Sequence, residues 1–250
     1  MKQLMISIAM FMMLASCKKD KQSSEPTSGV LKAITYPASP GFFKFDYDNS
    51  GRLIKVSGDW GNAIYEYSNG GLIYKEFYHN QATPSYIITA ILNADATIKS
   101  ANYSDISPNN TINGTLAFNY DANGYLVKKT DESVADGKQE WIYTWTNGNV
   151  SKIEEFKNGS PTNTFYEDYY ADKLNTTNIN SWFMRTYYNK GLIGKINKNL
   201  SKQELSKNSI NVINSYYSFT YDLDANGNIL KTTSKNMVTN VDYVSNFQYQ

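Results

Sequence analysis

Short runs of alternating apolar and polar residues recur along most of this chain, and each run ends at a turn that contains glycine. The segment Phe45–Lys55 recurs as Phe118–Lys128 and as Phe219–Lys231, where two extra residues lengthen the first strand. Weaker copies occupy residues 65–72 and 143–152, and degenerate ones surround positions 94–95, 171–172 and 190–191. Alternation with a period of two is typical of half-buried strands, so the repeat predicts β-hairpins.

The turn inside the repeat has a defined chemistry. Asp48 stands at the first position of a type I turn, where its carboxylate accepts backbone N–H groups. Gly51 closes the turn in a left-handed conformation that only glycine adopts without steric cost. This register predicts three cross-strand pairs, namely Tyr47 with Leu53, Phe45 with Lys55 and, on the other face, Asp48 with Arg52.

A second turn type preserves the same aromatic–aliphatic pairing. Asn147-Gly148 fits a two-residue type I′ turn, and that turn places Trp145 opposite Val150. Seven or eight such hairpins imply roughly a dozen to sixteen antiparallel strands, and a twisted sheet of more than about ten strands tends to curl, split or close.

We therefore expect an all-β fold, an antiparallel meander of repeated β-hairpins coiled into an open or closed barrel-like sheet. Most aromatic residues should lie inside it. The pattern Ser201–Glu204 resembles a helix capping box, but Asn and Ser follow it instead of an apolar stripe, so we expect at most one short helical turn there.

The first residues differ in kind from the repeats. A single lysine, Lys2, precedes the apolar run Leu4–Leu14, which fits a signal peptide and is too short to span a membrane. The sequence Leu14-Ala-Ser-Cys17 resembles a bacterial lipobox, and the alternative is an ordinary secretory signal that happens to contain a cysteine. We expect a lipoprotein signal peptide at 1–16, a lipidated cysteine with a flexible tether at 17–32, and one β-repeat domain at 33–250.

The cysteine count favours the lipid anchor. Cys17 is the only cysteine, so a disulfide within one chain is impossible, and an acylated thiol is inert in an oxidising compartment. We expect the chain to be held on the outer membrane through lipids on Cys17, facing the periplasm or the cell surface. Lys18–Gly29 is polar and contains Ser and Pro, as expected of a tether.

Charge balance limits the partners. The precursor has 24 basic and 23 acidic residues, and removal of residues 1–16 removes one lysine and no acid. A balanced chain has no electrostatic footprint for nucleic acid, so we expect no nucleic-acid partner. One face of the 118–132 hairpin carries Asp121 and Lys129 and the other Lys128 and Glu132, so we expect a soluble domain instead of a transmembrane barrel.

The units of the form Tyr-Asp-x-x-Gly-x-Leu-x-Lys resemble YD repeats, the short hairpin units of large β-shell proteins. Together with the lipobox and the segment Gly191–Leu200, they resemble a family of Bacteroidota lipoproteins of unknown function. That resemblance covers residues 33–250 and implies a porin-like β fold. It brings no catalytic residues to this chain.

Candidate sites for metals, cofactors and nucleophilic catalysis are weak. Asp222–Gly227 matches half of a calcium-binding EF-hand loop, but the twelfth position is Thr233 where glutamate is required, so a turn explains the residues better. His79 is the only histidine and lies in a polar stretch. We therefore expect no catalytic, cofactor-binding or metal-binding residues and no cofactor.

The adjacent acids Glu154-Glu155 and Glu167-Asp168 do not form dyads by themselves, because neighbours on a strand point to opposite faces. Acids from different strands can still converge to about 5–10 Å, as in glycosidases. This keeps open an alternative function, a carboxylate-dependent hydrolase acting on envelope or extracellular polymers.

Trp141, Tyr143 and Trp145 alternate on one strand face. They form barrel core or, if that face lines an accessible cavity, stack on sugar rings or apolar ligands. We expect a non-enzymatic binding or scaffold domain on a membrane-anchored exported lipoprotein, with a glycan or peptide as ligand. A purely structural role without a small ligand is the third alternative.

Overall fold

The computed structural model describes residues 30–37, 41–79, 81–107, 110–176 and 191–249. These residues form sixteen strands, and the described ranges contain no helix. The strands are β1 Leu31–Thr35, β2 Phe42–Tyr47, β3 Leu53–Gly58, β4 Gly61–Ser68, β5 Gly71–Tyr78, β6 Tyr86–Leu92, β7 Ile98–Ser107, β8 Asn110–Tyr120, β9 Leu126–Ser133, β10 Gly137–Thr146, β11 Asn149–Lys157, β12 Ser160–Leu174, β13 Asn199–Asn208, β14 Ile213–Leu223, β15 Ile229–Asn236 and β16 Val241–Tyr249.

Every strand pairs with its neighbours in the chain, and β1 pairs with β16. The result is a closed antiparallel barrel, which confirms the predicted meander and decides between the open and closed forms. β1 begins at Leu31, so Leu31 and Lys32 belong to the barrel. Ser201–Glu204 lies within β13, where Glu204 pairs with residues of both neighbouring strands. The capping-box pattern therefore forms strand and not a helical turn.

The aspartate–glycine turns have the predicted chemistry. The backbone N–H groups of Ser50 and Arg52 both donate to Asp48 Oδ1 at 2.9 Å, and Gly51 has a φ of 76°. The turns that begin at Asp121 and Asp224 repeat these bonds. Asn147 and Gly148 have φ values of 54° and 82°, as a type I′ turn requires.

The cross-strand register is partly as predicted. Tyr47 pairs with Leu53 and Trp145 with Val150, as expected. The predicted pairing of Phe45 with Lys55 is wrong, because a β-bulge after Leu53 shifts the register and places Val56 opposite Phe45. The bulge keeps an apolar side chain on the inner face, where a lysine would otherwise lie.

A hydrogen bond recurs between successive repeats. The polar group of an aromatic residue, in four of the five cases at the end of a strand before a turn, donates to the carbonyl oxygen of an aliphatic residue 14 to 22 positions earlier in the chain. The donors and acceptors are Tyr47 to Leu31, Tyr67 to Leu53, Tyr120 to Ile98, Trp145 to Leu126 and Tyr169 to Val150, at 2.8–3.1 Å. These bonds explain why the repeat uses aromatic residues with a polar atom.

One end of the barrel, which we call the floor, is filled by aliphatic side chains and by the connection before β13. The aliphatic residues directly follow the turns and are buried, namely Leu53, Leu72, Ile98, Leu126, Val150 and Ile229. Residues 191–198 cross this end, where Leu192 accepts a backbone hydrogen bond from Ile98, and Lys195 and Lys198 donate to Gly124 and Gly148. The floor is therefore closed by packing and by backbone bonds.

The hydrophobic core lies inside the barrel in two clusters. The larger one joins the inner faces of β1 to β8 around Phe45, Tyr65 and Tyr74 and includes Leu192 from the connection. The smaller one joins Leu126, Tyr143, Val150 and Ile153, with Phe118, Trp141 and Phe165 packed against them. The inner faces of β12 to β16 carry more polar side chains.

The outer wall carries charged pairs. Lys75 contacts Glu66, Lys128 and Lys138 contact Glu140, Lys152 contacts Glu154, and Lys231 contacts Asp222. On each strand these charged residues alternate with residues that face the barrel interior, so they face outward. Within the described ranges, no helix is long and apolar enough to cross a membrane.

Candidate functional site

Cross-strand partners share a face of the sheet, so the inward face can be followed from the core into β12 to β16. Buried Ile153 pairs with Phe165, Phe165 with Ser206, and Ser206 with Ser215. The inward positions that continue this face are mostly polar, and we call them the polar wall: Asn163, Glu167, Glu204, Ser206, Ser215, Tyr217, Ser234 and Asn236.

The end opposite the floor, which we call the mouth, is formed by the turns 59–60, 134–136, 158–159, 209–212 and 237–240. Two residues at this end face inward by register and are nevertheless exposed. Val241 and Tyr243 have exposed fractions of 45% and 51%. Inward side chains nearer the floor, such as Tyr221 and Ser245, are more buried. Solvent therefore reaches the inner face of β14 to β16 from the mouth.

The three aromatic residues singled out in the sequence all face inward, but their surroundings differ. Tyr143 is only 4% exposed and lies in the smaller core cluster. Trp145 donates its Nε1–H to the Leu126 carbonyl oxygen, and its ring centroid lies 4.5 Å from that of Tyr125. Trp141 is half-buried, and the ammonium group of Lys129 lies 4.5 Å from its ring centroid.

A polar network lies beside Trp141. Glu155 is the cross-strand partner of Trp141 and accepts a hydrogen bond from the Asn163 amide at 2.5 Å. The Tyr103 hydroxyl donates to Asp131 at 2.9 Å, and burial with this neighbouring carboxylate raises the pKa of Tyr103 to about 12. Charged and amide groups therefore alternate with aromatic rings on this part of the inner face.

Two acids from different strands meet on the polar wall. Glu167 of β12 and Glu204 of β13 are direct cross-strand partners, with exposed fractions of 5% and 6%. Glu167 Oε2 lies 2.5 Å from the Tyr169 hydroxyl and 3.3 Å from the Ser201 hydroxyl. The Tyr169 hydroxyl also lies 2.8 Å from the Val150 carbonyl oxygen, so its proton is shared between two acceptors.

Glu204 has a raised proton affinity. Burial, and then the charge of Glu167, raise the pKa of Glu204 to about 7. No hydrogen bond or ion pair reaches the Glu204 side chain from the described residues. The protonated form of Glu204 is therefore favoured more strongly than that of an ordinary glutamate.

The adjacent acids highlighted in the sequence do not come together as pairs. Glu154 lies on the outer wall with Lys152, while Glu155 faces inward. Glu167 likewise faces inward and its neighbour Asp168 is exposed. Asp224 holds a turn through bonds to Asn226 and Asn228, as the turn interpretation predicts.

The remaining candidates give little chemistry. His79 is exposed beside the mouth turn that follows β5. No group of three or more His, Cys, Asp and Glu side chains in the described part of the chain is arranged to hold a metal ion. Cys17 and the segments 1–16 and 18–29 lie outside the described residues.

A second concave region lies near the mouth ends of β7, β8 and β9. It is a cleft of about 530 Å³ lined by Asn102, Tyr103, Ser104, Asn113, Gly114, Thr115, Glu132, Ser133 and Val134. A Cβ at Gly114 would lie 2.4 Å from the Tyr103 ring, so a larger residue there would have to displace that ring. The side chains that line this cleft are mainly amide and hydroxyl groups.

Sequence reasoning identified Glu167 but missed Glu204 as its partner. The two lie on opposite sides of the long connection between β12 and β13, so no short turn fixes their register. Strand β13 also contains a bulge between Ser201 and Gln203, which changes the alternation near Glu204.

Comparison with known proteins gives the fold. No family model matches the sequence, and no curated protein matches it. A porin-like protein from Bacteroides uniformis ATCC 8492 superposes with a TM-score of 0.66 and 15% identity, over 88% of this chain and 96% of that one. A porin-like protein from Bacteroides vulgatus ATCC 8482 gives 0.65 and 12%, over 89% and 99%. This chain has the porin-like barrel fold.

Proposed function

We propose that this protein is an exported, lipid-anchored barrel that binds a glycan or peptide at its mouth without transforming it. The observation that carries the proposal is the asymmetry of the interior. The floor is closed by aliphatic side chains and the 191–198 connection, whereas the mouth exposes inward residues such as Tyr243. A closed cup with aromatic and polar walls is a common form of ligand site.

Trp141 and its polar neighbours on the inner face form the proposed binding surface. Trp141 is half-buried beside Glu155 and Asn163, so a ligand can stack on its ring while hydrogen-bonding to its neighbours. Tyr143 and Trp145 lie deeper and support this surface, since Tyr143 is in the core and Trp145 is held by Leu126.

The proposed attachment to the outer membrane is through lipids on Cys17 and not through the barrel wall. The lipobox-like sequence that ends at Cys17 supports it. The outer wall supports it as well, because Glu66, Glu140 and Glu154 form ion pairs there, and a lipid-facing barrel needs an uncharged band about 25 Å tall.

The comparisons give no support to the alternative hydrolase. Glu167 and Glu204 do converge from separate strands, as that alternative requires. Both are almost fully buried, however, and glycoside hydrolysis also requires a substrate bond and a water beside the carboxyl groups. If the protein cleaved a carbohydrate or peptide and Glu204→Gln did not, the hydrolase would replace the binding function.

Binding is tested on an array of glycans and peptides with the mature chain and two matched variants. Trp141→Ala removes the inner ring and should weaken binding by about tenfold or more, as expected for a buried aromatic anchor. Tyr166→Ala removes a ring of the outer wall that is 42% exposed and should leave binding unchanged. Equal binding by both variants would contradict a site inside the mouth.

The anchor is tested separately in cells. Cys17→Ser should move the protein from the membrane fraction to the soluble fraction, because the thioether to the lipid is lost. Protease accessibility of intact cells then decides between the periplasmic and surface faces. Unchanged membrane retention of Cys17→Ser would contradict lipid anchoring.

A further inference from the structure

Six asparagine residues of this chain are directly followed by glycine, namely Asn69, Asn113, Asn123, Asn147, Asn158 and Asn226. The backbone nitrogen of the following residue can attack the asparagine side-chain amide carbon, and glycine favours this attack because it has no Cβ to hinder the approach. The reaction requires a glycine N–H that is free of hydrogen bonds, an asparagine side chain that can rotate, and access of water. The fold decides which of the pairs meets these conditions.

Two of these glycines lie in aspartate–glycine turns, and their N–H groups are engaged. Gly124 donates to the Asp121 carbonyl oxygen and Gly227 to that of Asp224, each at 3.0 Å. Attack by either nitrogen requires that this hydrogen bond first breaks, and the turn then loses one of the contacts that close it. The asparagines before these two glycines are therefore protected by the same turn chemistry that defines the repeat.

Three further pairs are held by strands or by neighbouring groups. Gly114 lies inside β8 and pairs with residues of both neighbouring strands, so its backbone stays extended. The Asn158 Oδ1 accepts a hydrogen bond from the Lys138 backbone N–H at 2.9 Å, which restrains the side-chain amide. Gly148 is half-buried, and its carbonyl oxygen accepts a hydrogen bond from the Lys198 backbone N–H at 3.0 Å. In each case a group must leave a packed or bonded position before the attack is possible.

Asn69 and Gly70, in the turn between β4 and β5, meet all three conditions. Both residues are exposed, and a Cβ built on Gly70 would meet no atom within 4 Å. Neither the Asn69 side chain nor the Gly70 N–H makes a hydrogen bond with a described residue. The Leu92 N–H donates to the Gly70 carbonyl oxygen and leaves the Gly70 nitrogen unengaged. Because Gly71 follows, two consecutive residues lack a Cβ, and the backbone adjusts more freely here than in the other turns.

We propose that Asn69 is a site of spontaneous deamidation in the folded protein, independent of any ligand at the mouth. The Gly70 nitrogen loses its proton to solvent and forms a bond to Asn69 Cγ, while the Cγ–Nδ2 bond breaks and Nδ2 leaves as ammonia. Water then opens the cyclic imide at either carbonyl group and gives aspartate or isoaspartate. Isoaspartate lengthens the backbone of a turn that lies between Tyr67, whose hydroxyl donates to Leu53, and buried Leu72. The modification therefore places a negative charge and a longer backbone at the floor.

The experiment incubates the full mature chain at pH 6 and at pH 8 and measures the acid formed at each Asn-Gly pair by peptide mapping with mass spectrometry. Asn69 should react at least about fivefold faster than Asn123 and Asn226, because the glycine N–H groups of those pairs must first break a hydrogen bond. The rate at Asn69 should rise from pH 6 to pH 8, since the nitrogen attacks without its proton. The products there should include isoaspartate, which direct hydrolysis of the amide does not form.

An unfolded control and two variants complete the test. The chain unfolded in urea should react at all the Asn-Gly pairs at similar rates, because each pair has the same two residues. Asn69→Gln should abolish the acidic product at this position, since the longer side chain closes a ring much more slowly, and Asn147→Gln should leave the rate at Asn69 unchanged. Equal rates at Asn69 and Asn123 in the folded protein, or aspartate without isoaspartate at position 69, would overturn the proposal. An intact Asn69 in the folded protein, under conditions in which the unfolded chain reacts, would overturn it as well.

Discussion

Replacement of Glu204 by glutamine should stabilise the barrel at alkaline pH. The pKa of this carboxyl is about 7 in the folded protein and 4.5 in its ordinary state. The folded state therefore binds more protons than the unfolded state between these values, so the contribution of Glu204 to stability is complete below about pH 4.5. It is lost as the pH rises to about 7, at a total cost of about 3 kcal/mol.

Glutamine has the same shape and no charge at any pH, so Glu204→Gln removes this cost. The free energy of unfolding of the variant relative to the wild type should increase by about 2.5 kcal/mol between pH 5 and pH 8. Urea denaturation followed by far-ultraviolet circular dichroism measures the difference at each pH, with Glu66→Gln on the outer wall as the matched control. A difference that stays constant from pH 5 to pH 8 would refute the raised pKa of Glu204.

Four further substitutions test the architecture by the same denaturation assay. Tyr120→Phe removes the 2.9 Å hydrogen bond to the Ile98 carbonyl oxygen and should lower the free energy of unfolding by about 1 kcal/mol. An unchanged free energy of unfolding would mean that this bond does not stabilise the fold. Gly51→Ala should cost about 1–2 kcal/mol through its φ of 76° alone, whereas Gly61→Ala should prevent folding, because its Cβ would lie within 1.8 Å of the Phe77 carbonyl oxygen. Leu126→Ala, fully buried in the floor, should cost about 2–5 kcal/mol, and a smaller loss would mean that the floor collapses around the gap.

The hairpins were readable from the sequence because their information is local. Asp48, Gly51 and Leu53 lie within six residues, and the turn they specify fixes the pairing of Tyr47 without reference to the rest of the chain. The error at Phe45 and Lys55 came from the same local logic, which assumed an unbroken alternation. The apolar residues at positions 53 and 56 are spaced by three, and this spacing is the trace of the bulge.

The polar wall could not be predicted in the same way. Its central contact joins Glu167 to Glu204 across a long connection, and that register is set by β12 and β13 packing into a closed barrel. Closure itself depends on the pairing of Leu31 with Tyr249, between residues that are far apart in sequence. The sequence specified which residues alternate inward, but not which of them meet.

The pairing of β1 with β16 has a consequence for how the molecule is made. The neighbouring strands can zip together one hairpin at a time, but the seam joins the first strand to the last and carries the largest loop-closure entropy. Until Val241–Tyr249 has joined the sheet, both margins of the growing sheet present unpaired backbone groups that attract other strands. Folding of this protein therefore favours helpers that shield strand margins until the seam is sealed.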